Sequence, residues 1–190
     1  MTNEPLNPEE CSILIKHARR AMEDVVCTGQ LQPLDLDAYS ESLREPGATF
    51  VTLTRRGRLR GCVGALEPIL PLIEDVCEHA AAAAVRDYRF PPVRAEELLE
   101  IEIEISRLTQ PKPLHYQCPE DLLALLRPGI DGVILHDGLS RATFLPQVWE
   151  RVPDPVSFLS YLCQKMGSDP LLWQAKKLQV FIYQVEEIKK

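Results

Sequence analysis

Residues 98–108 read LLEIEIEISRL, and this stretch decides the fold class. Leu99, Ile101, Ile103 and Ile105 alternate with Glu100, Glu102 and Glu104, the period of two that belongs to a β-strand. A strand over 99–107 is therefore expected, with its isoleucines in a core. Three carboxylates on the other face could serve a cation, but no further donors nearby complete a ligand set, so that face reads as solvated. A strand with one wet face belongs to an antiparallel or mixed sheet rather than a buried parallel one.

The neighbouring segments support the same class. Upstream, ATFVTLTRRGRLRGCVG reads as a hairpin: Thr49 to Thr54 is β-prone, Gly57 supplies the turn, and Leu59 to Val63 returns. Pro71 opens a helix with Glu74 and Asp75 in its first turn, where the helix dipole favours negative charge. That helix runs through an alanine tract to YRFPPV, whose prolines end it. Near the start, Asn7, Pro8 and Glu10 form a capping-box signature, with Cys11, Leu14, Ile15, Ala18, Met22 and Val25 at helical spacing as far as Gly29. Residues 30–48 read as a loop. Downstream come a short helix at Pro119 with Leu122, Leu125 and Leu126 on its apolar side, a hairpin turning at Asp137-Gly138, helices capped at Asp154-Pro155 and Asp169-Pro170, and a closing strand LQVFIYQVEEI. Hairpins mixed with helices in this order give an α+β fold, with a mixed or antiparallel sheet flanked by helices.

The chain has 190 residues, 45% of them apolar, which suits one domain with a sizeable core. A net charge of −7 argues against a general nucleic-acid binder. The polar, acidic start has no leader pattern, and no run approaches a membrane span, so a cytoplasmic location is expected. Cys11, Cys27, Cys62, Cys77, Cys118 and Cys163 are scattered without C-x-x-C spacing. They read as reduced thiols, most of them small buried hydrophobes, with no metal site among them.

Chemistry concentrates at LRGCVG, residues 59–64. The thiolate is the nucleophilic form of cysteine, and nearby positive charge favours it. Strand alternation would put Arg60 on the same face as Cys62, while Gly61 and Gly64 would leave backbone N–H groups open to an oxyanion. Equally, Cys62 can be a small residue in a tight glycine-rich bend. Four arginines in six residues, RRGRLR, form either an anion site or a solvated hairpin tip. His79 could approach Cys62 as a dyad partner. Asp87 and Arg89, where the alanine-rich helix ends, could simply pair with each other.

The segment LRGCVG resembles the L-R-G-C-I-G signature of the AMMECR domain family, whose prokaryotic members are called AmmeMemoRadiSam system protein A; Val63 stands where isoleucine is usual. GATFVTL, AAAAAVRDYRFPPV, EIEIEISRLTQP, GIDGVIL, ATFLPQVW and FLSYLCQKMG resemble further family segments in the same order, so the likeness covers residues 10–188. It implies a single domain over 8–188 with a larger and a smaller lobe and a cleft lined by residues 59–64. It also implies a Memo-like protein and a radical SAM protein as partners, and it suggests Arg60, Asp87, Arg89 and Gln147 as cleft residues. It names no reaction and no cofactor. Two functions follow. In one, Cys62 is the catalytic thiol of an enzyme acting on a small anionic ligand held by Arg60, Arg89 and the backbone of Gly61 and Gly64. In the other, the chain is a non-catalytic binding or adaptor module and Cys62 is structural.

Overall fold

Two four-stranded sheets organise the chain in the computed structural model, which describes residues 4–189. The chain divides into two units, one comprising the residues up to Thr109 together with those from Glu186, the other Gln110–Val185.

In the first unit, helix α1 (Pro8–Thr28) is followed by short α2 (Glu41–Arg44), strands β1 (Thr49–Arg55) and β2 (Arg58–Gly64), helix α3 (Leu72–Val85) and strand β3 (Ile101–Leu108). The final strand, β8 (Val185–Lys189), completes a sheet of order β2-β1-β3-β8. The capping box is formed: Asn7 Oδ1 accepts from the Glu10 N–H at 2.9 Å and the Asn7 N–H donates to Glu10 Oε2 at 3.0 Å. Both partners satisfy donors that a helix start leaves orphaned. Val51 and Leu53 share the core with Ile101, Ile103 and Ile105, against the buried Leu14, Ala18 and Met22 of α1. Ala80 to Ala84 of α3 are all buried, and their small side chains let the helix lie close to its neighbours. β1 and β2 join through Arg56 and Gly57, both at positive φ, the two-residue turn that matches strand twist.

The second unit carries β4 (Lys112–Pro113), α4 (Pro119–Leu125), β5 (Gly132–Asp137), β6 (Ser140–Phe144), α5 (Pro155–Lys165), α6 (Leu172–Ala175) and β7 (Gln179–Tyr183). Its sheet order is β4-β7-β5-β6. The core gathers Val133, Leu135, Phe158, Leu162 and Trp173, with Trp149 stacked on Phe158 at 3.6 Å between centroids. Trp149 Nε1 donates to the Asp131 carbonyl at 2.7 Å, so the buried indole keeps a partner.

Several sequence expectations change here. β3 begins at Ile101, because Ala95–Glu100 winds into a 3₁₀ turn, and Leu99 is 99% exposed instead of facing the core. That turn carries Glu97 and Glu100 to the arginines of the hairpin. The closing stretch is two strands, not one: Gln184 separates β7 from β8, which belong to different sheets. Residues 30–48 contain α2 and a 3₁₀ turn, Leu36–Ala38. Leu125 is 45% exposed, since α4 ends there and only Leu122 and Leu126 are buried. Of the six free cysteines only Cys77 and Cys163 are buried; Cys27 is exposed and the rest are half-buried. Burial pushes the Cys77 thiol up to about 12, with Glu74 and Asp24 adding to the effect. No helix among the described residues is long and apolar enough to cross a membrane.

Candidate functional site

β2 is an edge strand, so its outward backbone groups need partners from outside the sheet. At Cys62 the segment after α3 supplies them. The Cys62 N–H donates to Asp87 Oδ2 at 2.8 Å, and Arg89 Nη2 donates to the Cys62 carbonyl at 3.0 Å. The two charged side chains also hold each other: Arg89 Nε reaches Asp87 Oδ1 at 2.9 Å and Nη2 reaches Oδ2 at 2.7 Å. The Arg89 backbone N–H adds a bond to Oδ1 at 3.1 Å. A tight Asx-type turn and a forked ion pair thus cap one residue of the strand. The Arg89 guanidinium, with the N–H groups of Cys62 and Arg89, holds the buried Asp87 carboxyl far below the ordinary aspartate range, against the opposing effect of burial.

The register of the hairpin changes the expected role of Arg60. Leu53 pairs with Gly61 while Thr54 pairs with Leu59, so Arg60 is the extra residue of a β-bulge. The bulge interrupts the alternation that would align Arg60 with Cys62. The Arg60 fork instead grips Glu97, Nε to Oε1 at 3.0 Å and Nη2 to Oε2 at 2.9 Å. Its remaining bonds go to the carbonyls of Pro91 and Pro92, at 2.9 and 3.2 Å. Arg60 brings the Glu97 carboxyl down to about 2 despite burial, helped by the Arg94 N–H and by Arg55. Arg55 spans Glu97 and Glu100, and Arg56 also reaches Glu100. Of the four hairpin arginines, three are thus tied to carboxylates. The Cys62 side chain is half-buried and accepts a hydrogen bond from Thr52 Oγ1 at 3.4 Å, directly across the ladder.

The glycines are explained by close approach. A Cβ on Gly61 would lie 2.1 Å from the Ala83 carbonyl oxygen of α3. One on Gly64 would lie 2.4 Å from both the Phe50 ring and the Thr49 carbonyl oxygen. Neither space admits a side chain.

The structure therefore brings Cys62, Asp87 and Arg89 together and leaves Arg60 in a separate clasp with Glu97. His79 does not bond to Cys62: its Nδ1 lies 3.2 Å from Oδ2 of buried Asp75, which also accepts from Thr49 Oγ1 at 2.6 Å. Gln147 sits half-buried on the 3₁₀ turn Pro146–Glu150 of the second unit. Glu97 and Thr52 carry part of this arrangement and were missed from sequence. Thr52 could have been found by counting the hairpin register. Glu97, 37 residues from Arg60, gave no local signal. Among the described residues no group of three or more His, Cys, Asp or Glu side chains is placed to hold a metal ion.

A family model described as AMMECR1 matches residues 15–188. A protein of Methanothermobacter thermautotrophicus is 39% identical over 183 residues, 96% of this chain and 95% of that one. One from Thermofilum pendens is 39% identical over 196 residues, covering 95% of this chain and 90% of the relative. The crystal structure of the uncharacterised protein PH0010 from Pyrococcus horikoshii superimposes with a TM-score of 0.87 at 34% identity, covering 96% of this chain and 92% of that one.

Proposed function

We propose that this chain, which belongs to the AMMECR1 family, is a non-catalytic binding or adaptor module in which the hexapeptide around Cys62 is structural. The observation that carries this reading is the clamp on the Cys62 backbone. The carboxylate and guanidinium that could have served a reactive thiol or an anion are spent on each other and on that backbone. The Arg60–Glu97 fork supports it from a second side, because the arginine expected to favour a thiolate is neutralised elsewhere. The glycines support it too, since close packing accounts for both. The partners we propose for the module are the Memo-like and radical SAM proteins implied by the family resemblance.

One observation favours the competing reading of a catalytic thiol acting on a small anion: the Thr52 hydroxyl donates to Sγ, so a polar group faces the half-buried sulfur. Both readings are tested with Cys62→Ala in place of the native gene in a deletion strain. A structural role predicts wild-type growth and metabolite levels. It also predicts undiminished co-purification with the two recombinant partner proteins. A variant that melts like wild type yet loses cellular function, or a covalent adduct trapped on Cys62, would establish the thiol enzyme instead.

A further inference from the structure

The protein carries net negative charge, yet four of the nine residues lining a largely apolar groove of about 740 Å³ beside α1 are cations. Lys16, Arg19, Arg20 and Lys189 contribute to its wall, against a single carboxylate, Glu23. Pro8, Cys11 and Ile15 add an apolar part. Ligand pockets in proteins span about 300–1,000 Å³ and combine apolar lining with a few convergent polar groups.

Two of the four cations, Lys16 and Arg19, have no carboxylate partner among the described residues. Arg19 donates to two backbone carbonyls, Leu98 at 3.2 Å and Ile101 at 2.6 Å, so its position is fixed while its charge meets no carboxylate among the described residues. Lys16 is exposed and makes no ion pair among the described residues. Arg20 approaches Asp24 only to 3.7 Å and is 66% exposed. Lys189 is committed to Glu104 and Glu187. Helical spacing explains the stripe: positions 12, 16, 19, 20 and 23 recur three and four residues apart on one side of α1.

An adjoining hollow of about 390 Å³ shares Ile15, Arg19 and Lys189 but is also lined by Glu102 and Glu104 of β3. An anion is disfavoured at that end and favoured beside Lys16 and Arg20. The groove thus combines an anion-attracting stretch with an apolar part, and the adjoining hollow repels anions.

We infer that this groove is a binding site for a small amphipathic anion, a phosphate or carboxylate on a short hydrocarbon body, with the anionic head beside Lys16 and Arg20. The site shares no residue with the Cys62 clamp and is independent of the function proposed above.

Hexyl phosphate is the probe, titrated into the full-length protein by calorimetry and followed in ¹⁵N-resolved spectra, with inorganic phosphate and hexanol as controls. Saturable one-to-one binding is expected, with shifts confined to amides of residues 8–23 and of Lys189. Each control should bind about tenfold more weakly or less, because each supplies only one half of the chemistry. Lys16 and Arg20 are exposed, so Lys16→Gln/Arg20→Gln should fold normally. It should lose about fivefold in affinity per charge removed. Glu23→Gln should bind at least as well as wild type. The inference is overturned by shifts that cluster elsewhere, by equal binding of hexanol, by unchanged affinity in the double variant, or by binding to anionic phosphatidylglycerol vesicles without one-to-one uptake of soluble hexyl phosphate.

Discussion

Asp87 is buried, charged and bound to four donors: the Cys62 N–H, the Arg89 N–H and the two N–H groups of the Arg89 fork. Removing the carboxylate leaves an edge-strand N–H unpaired and a partly exposed arginine without its partner. Asp87→Ala is expected to cost about 2–3 kcal/mol of stability, measured by urea unfolding at neutral pH. The pH dependence follows from the direction of the shift. A carboxyl whose folded pKa is depressed contributes stability that is fully present above its unfolded pKa. That contribution fades as pH falls below about 4 toward the lower folded value. The stability gap between wild type and Asp87→Asn should therefore narrow between pH 5 and pH 2, both numbers being roughly one unit or more either side of that threshold. A gap constant across this range would mean the carboxylate charge is not what the clamp uses.

At the scale of elements, strand β2 meets helix α3 through backbone rather than side chains. Gly61 faces the Ala83 carbonyl so closely that a methyl group cannot enter, and the helix backbone offers no rotamer by which to yield. Gly61→Ala should force the two elements apart and cost about 1–3 kcal/mol, read as a fall of several degrees in Tm. A variant that melts within a degree of wild type would show that the contact is slack. The same contact gives the alanine tract a reason. Small side chains on α3 let its backbone reach the strand, and a sequence reader sees the alanines and the glycines without seeing that they meet. The Arg60–Glu97 fork makes the same point: the bulge that frees Arg60 from the alternation is set by the pairing of Leu53 and Thr54 with β2, which local composition does not encode.

Across the whole molecule the chain leaves the first unit after β3, builds the second, and returns with β8 to complete the first sheet. The second unit is continuous in sequence and holds both tryptophans in its own core. Residues 110–185 expressed alone are expected to unfold cooperatively on heating, with the blue-shifted emission of buried indole. Red-shifted emission and a featureless melt would mean that this core is not self-sufficient. The first unit offers no such excision, since its sheet draws a strand from the far end of the chain.

What the sequence by itself determined were the features governed by neighbours: the capping box at Asn7, the hairpin turn at Gly57, and the burial of Ile101, Ile103 and Ile105. Each depends on residues within a few positions, where propensity and periodicity act. The family likeness was legible for the same reason, as ordered segments along one chain. Only the tertiary structure decided that Leu99 lies outside the sheet, that the last strand divides at Gln184 between two sheets, and that Asp87 and Arg89, not Arg60, meet Cys62. Those outcomes rest on pairings 25 or more residues apart, such as Cys62 with Asp87 and Arg60 with Glu97. In each, the partner that satisfies a backbone group or a charge is selected by the register of strands and the path of the chain, quantities that no local pattern carries.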